Sequence, residues 1–256
     1  MRLAGKVTVV TGGTLGIGRA TVEKFHAEGA EVVSLATNRE RTEALGAAYR
    51  DSERPVLALV ADVTDEAQVA GAMQRVREQF GRIDILVNNA GVNAYFDATT
   101  MTETDWDGVF AVDLKGAWLC AKHALPAMRE QRSGSIVNIS SVHSVMTISG
   151  MFPYAAAKSG LVGLTRSMAL DYGPDNIRVN AICPGWTRTQ LVQEWFDMQP
   201  DPAAAEQKVI DVHPLGRIAT PVEIANFIAF VASDEASFIT GAALMIDGGL
   251  SAQFAH

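Results

Sequence analysis

Short apolar runs rich in β-branched residues alternate along this chain with longer segments in which apolar positions recur every three or four residues. "KVTVVT" (6–11) leads into "GIGRATVEKFHAEG" (16–29), then "EVVSLA" (31–36), a polar helical segment, "PVLALVAD" (55–62), "DEAQVAGAMQRVREQFG" (65–81) and "IDILVNNAG" (83–91). Further on come a helix around 113–131, a strand "SIVNIS" (135–140), a helix from about 152 to 172, a strand "IRVNAICPG" (177–185) and a last strand "ALMIDGG" (243–249). Strands that are apolar almost throughout, separated by helix-length segments, predict a parallel sheet covered on both faces. The fold class is therefore α/β, doubly wound, with about seven strands. No repeat, low-complexity tract or linker divides residues 1–256, so a single domain is expected.

One stretch breaks the pattern. Residues 188–214, "RTQLVQEWFDMQPDPAAAEQKVIDVHP", carry amphipathic pieces and internal prolines but no strand signal. The segment reads as a flap over the sheet edge on the substrate side, or else as a plain surface insertion.

Composition narrows the function. A chain of 256 residues, 48% apolar, can bury a sizeable core without staples. Its two cysteines, Cys120 and Cys183, make no disulfide framework, and "MRLAGKVTVV" lacks the features of a secretory signal, so a reduced, cytoplasmic setting is expected. The apolar run "IANFIAFVA" falls far short of a membrane helix. A net charge of −8 without any Lys/Arg block argues against a nucleic-acid surface. The expected partner is a small molecule, with no membrane, no nucleic acid and no metal.

Candidate chemistry gathers at the ends of the predicted strands. The first strand runs into "TGGTLGIG" (11–18), where Gly12, Gly16 and Gly18 let the turn tighten, let backbone N–H groups approach a diphosphate and let the next helix pack closely. Such a loop between a strand and a helix predicts dinucleotide binding, with Thr14, Leu15 and Ile17 among the contacts. The second strand ends "SLATNRE", placing Ala36 and Thr37 where an acid would repel a 2′-phosphate. Thr37, Asn38 and Arg39 could instead hold that phosphate, which favours NADP over NAD, although Arg39 and Arg41 could equally be solvated charges at a helix start. Asp62, beside Val63, is placed to reach an adenine amino group or to cap the following helix. "NNAG" ends the fourth strand, offering Asn89, Ala90 and Gly91 to a ligand.

In "PYAAAKSG" (153–160), Tyr154 and Lys158 lie four apart and so share a helix face. An ammonium beside a phenol favours phenolate. The pair is either chemistry or an ordinary surface arrangement on these residues alone.

"TGGTLGIG", "NNAG", "SIVNISS", "YAAAK", "NAICPG" and "IDGG", in this order and spacing, resemble the short-chain dehydrogenases/reductases over essentially the whole chain. The resemblance implies a Rossmann fold, an NAD(P)-dependent oxidoreductase and a homotetramer or dimer built on the helices near 113–131 and 152–172 and on the last strand. It implies that Tyr154 exchanges the proton with the reacting oxygen, that Lys158 lowers its pKa and bonds the nicotinamide ribose, and that Ser141, thirteen residues upstream, polarises the same oxygen. It also implies that "CPGWTRT" (183–189) frames the nicotinamide through Pro184, Gly185, Thr187 and Thr189. Bringing a phenol from near 10 to near 7 takes about three units, on the order of 4 kcal/mol of phenolate stabilisation.

The chain departs from the family in one place. Where an asparagine commonly precedes the helix, "VDLKG" places Asp113, which either takes part in catalysis or caps the helix. A carboxylate there would raise the pKa of Lys158 and weaken its pull on Tyr154. Candidate substrate contacts are Asn93, Tyr95, His143, Ser144, Met151, Trp186, Trp195 and Phe196, a mixed lining that suits a sugar or polyol. The flap aromatics could equally be core. The expected activity is an NADP-preferring secondary-alcohol dehydrogenase or carbonyl reductase. A 3-oxoacyl thioester reductase would want a basic patch, for which Arg129 and Arg132 are the candidates, and a non-catalytic dinucleotide sensor would have no need of Ser141, Tyr154 and Lys158.

Overall fold

A computed structural model of the chain describes residues 1–253. These form seven strands and nine α-helices. The strands are β1 (Val7–Thr11), β2 (Glu31–Ala36), β3 (Leu57–Val60), β4 (Ile85–Asn88), β5 (Gly134–Ile139), β6 (Ile177–Pro184) and β7 (Ala243–Ile246). All pair in parallel, in the order β3-β2-β1-β4-β5-β6-β7. The chain starts mid-sheet, builds outward to β3 and returns through β4, leaving a crevice beyond the carboxyl ends where the direction reverses.

Alternation along each strand builds two cores. On β1, Val7 and Val9 face a layer containing Val69, Met73, Cys120, Ala124 and Met168, while Val10 faces Val22, Phe25, Ile224 and Ile228 on the other side. The first layer comes from α3 (Glu66–Phe80), α5 (Gly116–Gln131) and α6 (Tyr154–Tyr172), the second from α1 (Gly16–Ala27) and α9 (Pro221–Ala232). Helix starts follow local chemistry. Asn38 caps α2 (Arg39–Ala48), Asp65 caps α3, and capping boxes at Thr102 and Thr220 open α4 (Glu103–Phe110) and α9.

The segment expected as one helix from about 113 is more elaborate. A π-turn, Ala111–Lys115, joins α4 to α5 and carries Asp113. The 188–214 stretch folds into α7 (Gln190–Asp197), capped by Thr189, and α8 (Pro202–Asp211). Among the described residues, no helix is long and apolar enough to cross a membrane.

Candidate active site

The carboxyl ends of β1 to β6 open into one cleft of about 680 Å³. Its floor is the glycine loop. Gly12 adopts φ +65°, and a Cβ there would come within 2.9 Å of Asn89 Nδ2; a Cβ on Gly18 would run into the Gly12 carbonyl oxygen. Gly18 thus serves helix-to-strand packing and does not line the cleft, whereas Gly12, Thr14, Leu15, Gly16 and Ile17 do. Helix α1 starts at Gly16 with no side-chain cap and no acid in its first turn, so its free N–H groups suit an anion. These features fit a dinucleotide's diphosphate.

Asn89 ties this loop to the end of β4. Its amide donates to Thr11 O at 2.9 Å and Gly12 O at 3.3 Å, while Thr11 Oγ1 accepts from the N–H groups of Asn89 and Ala90, each at 2.9 Å. Thr11 is a positioning residue that the glycine spacing alone did not single out.

At the end of β2, Ala36, Thr37 and Asn38 line the cleft together with Arg41, not Arg39. Arg39 extends instead towards Glu43, 3.7 Å away on the next turn. The cause is helix phase: Asn38 Oδ1 accepts from Arg41 N, and capping fixes which of the two arginines faces the cleft. Asp62 and Val63 also line it. Asp62 Oδ1 accepts from Thr64 N and Oγ1, both at 2.8 Å, and the cap of α3 falls to Asp65.

Tyr154 opens α6, with Lys158 one turn on. Lys158 is 4% exposed; its Nζ donates to Ile139 O at 3.3 Å and lies 5.5 Å from the Tyr154 ring centroid and 3.7 Å from Asp113 Oδ1. Ser141, just past β5, lines the cleft together with Tyr154, and its Oγ accepts from His143 N at 3.2 Å. Asp113 is buried; its Oδ1 accepts from Val92 N at 2.9 Å, while Oδ2 has no partner. Burial pushes the Tyr154 phenol above its ordinary pKa, with Asp113 and Cys183 adding to the shift and Lys158 and Ser141 opposing it. Lys158 is pulled down by burial, but Asp113 and Tyr154 together leave it raised. The lysine thus does not by itself bring the phenol down.

Asn93 lines the cleft; burial, with the Tyr154 charge adding to it and the Asn93 side chain opposing, raises the Tyr95 phenol to about 12. His143 meets Tyr154 edge-on, with ring centroids 5.7 Å apart, and its Nδ1 lies 2.8 Å from Thr147 Oγ1; burial lowers its pKa. Ser144 Oγ donates to Ser141 O at 2.7 Å, so this hydroxyl supports the turn. Met151 is half-buried in the loop before Tyr154. Trp186 and Trp195, 4.8 Å apart, do not line the cleft. They pack with Phe196, Val209 and Ile218 as the flap's own core.

Pro184, Gly185, Thr187 and Thr189 form the far wall, and Gln190, Leu191, Val192 and Glu194 of α7 complete it. Their signal in the sequence was the amphipathic spacing of Leu191, Val192, Trp195 and Phe196, which the structure splits between cleft and flap core. Among the described residues, no group of three or more His, Cys, Asp or Glu side chains could hold a metal ion.

A doubly wound parallel sheet with a glycine-rich loop and a Ser–Tyr–Lys constellation at its carboxyl edge defines a dinucleotide-dependent oxidoreductase. A family model described as enoyl-(acyl carrier protein) reductase matches residues 12–251. The chain is 40% identical over 250 residues to the 3-oxoacyl-(acyl-carrier-protein) reductase of Thermotoga maritima, covering 98% of this chain and 99% of that one. It is 39% identical over 252 residues to the meso-2,3-butanediol dehydrogenase of Serratia marcescens, covering 98% and 97%. The levodione reductase of Leifsonia aquatica is 40% identical over 258 residues, covering 99% of this chain and 97% of its own. A crystal structure of levodione reductase superposes with a TM-score of 0.94 at 40% identity, covering 99% and 100%. The chain belongs to the short-chain dehydrogenase/reductase family. It is a nicotinamide-dependent oxidoreductase acting on alcohols and carbonyls.

Proposed function

We propose that the protein is an NADP-preferring alcohol dehydrogenase and carbonyl reductase whose substrate is a small molecule of sugar or polyol type, carrying oxygen besides the reacting one. The observation that carries the reading is the convergence of Ser141, Tyr154 and Lys158 on the cleft that holds the glycine loop. Thr37, Asn38 and Arg41 at the end of β2, where no carboxylate stands, support the 2′-phosphate. The relatives named for a butanediol and for levodione act on molecules with two oxygen functions, which supports the substrate class.

The bound nicotinamide supplies or takes up the hydride. The glycine loop and the start of α1 hold the diphosphate, Asp62 and Val63 the adenine end, and Asn89, Ala90 and Gly91 the middle of the dinucleotide. Pro184, Gly185, Thr187 and Thr189 orient the ring, and Lys158 bonds the ribose beside it. Ser141 donates to the substrate oxygen. Tyr154 gives that oxygen its proton in reduction and takes the proton up in oxidation. The 188–214 flap, whose α7 walls the cleft, excludes water. Asn93, Tyr95 and His143 face the substrate's remaining polar groups. The exposed Trp118 on α5 and Leu170 on α6 support a homo-oligomer built on these helices, and the two buried, unpaired cysteines support a cytoplasmic setting.

The 40% identity to a 3-oxoacyl-(acyl-carrier-protein) reductase favours a thioester substrate as the second reading. Against it, Arg129 and Arg132 both pair with Asp175, at 2.8 and 3.0 Å, leaving little free basic patch for an acidic carrier. Cofactor absorbance with NADP and then NAD, across secondary alcohols, vicinal diols, polyols, sugars and a 3-oxoacyl thioester, tests both. NADP-linked turnover of a diol or polyol is expected. Turnover of the thioester alone would install the second reading, and cofactor binding without any turnover would make the chain a sensor.

A further inference from the structure

The surroundings of Tyr154 carry no net positive charge. The groups facing it are Lys158 on its own helix, Asp113 on the π-turn, Cys183 at the end of β6, His143 on the turn after β5 and Tyr95 beyond β4. Burial holds the Cys183 thiol and the His143 imidazole in their neutral forms, and Tyr95 is neutral as well. Only Lys158 is cationic, and Asp113 Oδ1 stands 3.7 Å from its Nζ with both side chains shut off from water. Whether the proton resides on the amine or on the carboxyl, this pair sums to zero. We infer that Asp113 makes the protonated phenol the resting form of Tyr154 and so poises the enzyme for carbonyl reduction at neutral pH.

The inference rests on the reading of Tyr154 as the proton-exchanging group. In reduction the carbonyl carbon receives a hydride, the π electron pair of the C=O bond passes to oxygen, and that oxygen takes the proton from Tyr154 Oη; solvent then restores the phenol. A phenol held protonated is ready for this step. Oxidation needs the phenolate, and so it waits for alkaline pH or for positive charge brought by the oxidised cofactor. Asp113 is a positioning residue here, because it acts through Lys158.

The test is an ultraviolet titration of phenolate in the cofactor-free protein, with the Tyr154→Phe variant subtracted to isolate this tyrosine. A midpoint at or above the ordinary phenol value of about 10 is expected, and one below about 8 would overturn the inference. In Asp113→Asn, whose amide oxygen can still accept from Val92 N, the midpoint should fall by about one unit or more. An unmoved midpoint would also overturn it. If Asp113→Asn does not fold, Asp113→Ser takes its place, and the same fall or its absence decides. Turnover that survives Tyr154→Phe would sink the underlying reading instead, and the two failures are thereby distinguished.

Discussion

Thr189 limits the space beside the glycine loop: a Cβ on Gly16 would come 3.2 Å from Thr189 Cγ2, so the residue that caps α7 also stands close to the start of α1. Gly16 has φ +51°, where an L side chain costs about 1–2 kcal/mol. Gly16→Ala should therefore keep the fold and weaken cofactor binding about tenfold, read by quenching of tryptophan fluorescence. Replacing Thr189 with Ser in that background removes the crowding methyl and should recover part of the loss. Equal affinities for Gly16→Ala and wild type would show that loop and flap are not packed as described.

Arg41 and Arg39 should behave differently although they are two residues apart. Arg41 lines the cleft, and Arg39 is an exposed partner of Glu43. Loss of a charge-assisted bond to a 2′-phosphate costs about 1.5 kcal/mol, so Arg41→Ala should lower the NADP/NAD ratio of kcat/KM about tenfold. Arg39→Ala removes only an exposed ion pair and should stay within about twofold. The reverse ranking would return the phosphate contact to Arg39.

How far the sequence could lead is visible in this pair. The strands were legible because burial on both faces makes them apolar throughout, and the glycine loop because its spacing answers a local backbone demand at Gly12 and Gly16. Which arginine faces the cleft depends on the phase set by the Asn38 cap. The π-turn carries Asp113 to the Val92 N–H, a tertiary bond that no local pattern announces. The flap aromatics showed the amphipathic spacing of a helix, but spacing cannot distinguish a face turned to the cleft from one turned to Val209 and Ile218.

Tyr154→Phe removes the exchangeable proton and leaves the ring. Turnover should fall by about 10² to 10⁴, while cofactor affinity stays within about twofold. Ser141→Ala should cost about 10² to 10³ in kcat, because it deletes a donor to the oxygen that gains negative charge. Single-turnover absorbance of reduced cofactor, with affinity measured separately, separates chemistry from binding. A Ser141→Ala protein with unchanged kcat would remove that residue from the chemistry.

Acid should weaken the join between the N-terminus and α1 in a defined window. Glu28 is lowered to about 2, first by its bond with Lys24 and then by the amide of Arg2. A carboxyl with a folded pKa below its unfolded value, near 4.3, stabilises fully above that value and loses its contribution as pH falls towards 2. The melting temperature of Glu28→Gln should thus lie below wild type at pH 7, and the gap should close between about pH 4 and pH 2. A gap independent of pH would mean that shape, not charge, is responsible.

The flap has its own small core, and that makes its stability separable from the sheet's. Phe196 is 1% exposed among Trp186, Trp195, Val209 and Ile218, whereas the two layers over the sheet are built from other residues. Phe196→Ala removes the centre of this cluster at a cost of about 3 kcal/mol. A segment of two short helices cannot absorb that loss, so it should open locally while the sheet stays folded. Because Gln190, Leu191, Val192 and Glu194 wall the cleft, opening should raise KM for the cofactor. Limited proteolysis should cut between 188 and 214 far faster than in wild type, with the main thermal transition nearly unmoved. A variant that melts as a whole before any cut appears would show that flap and sheet unfold as one unit.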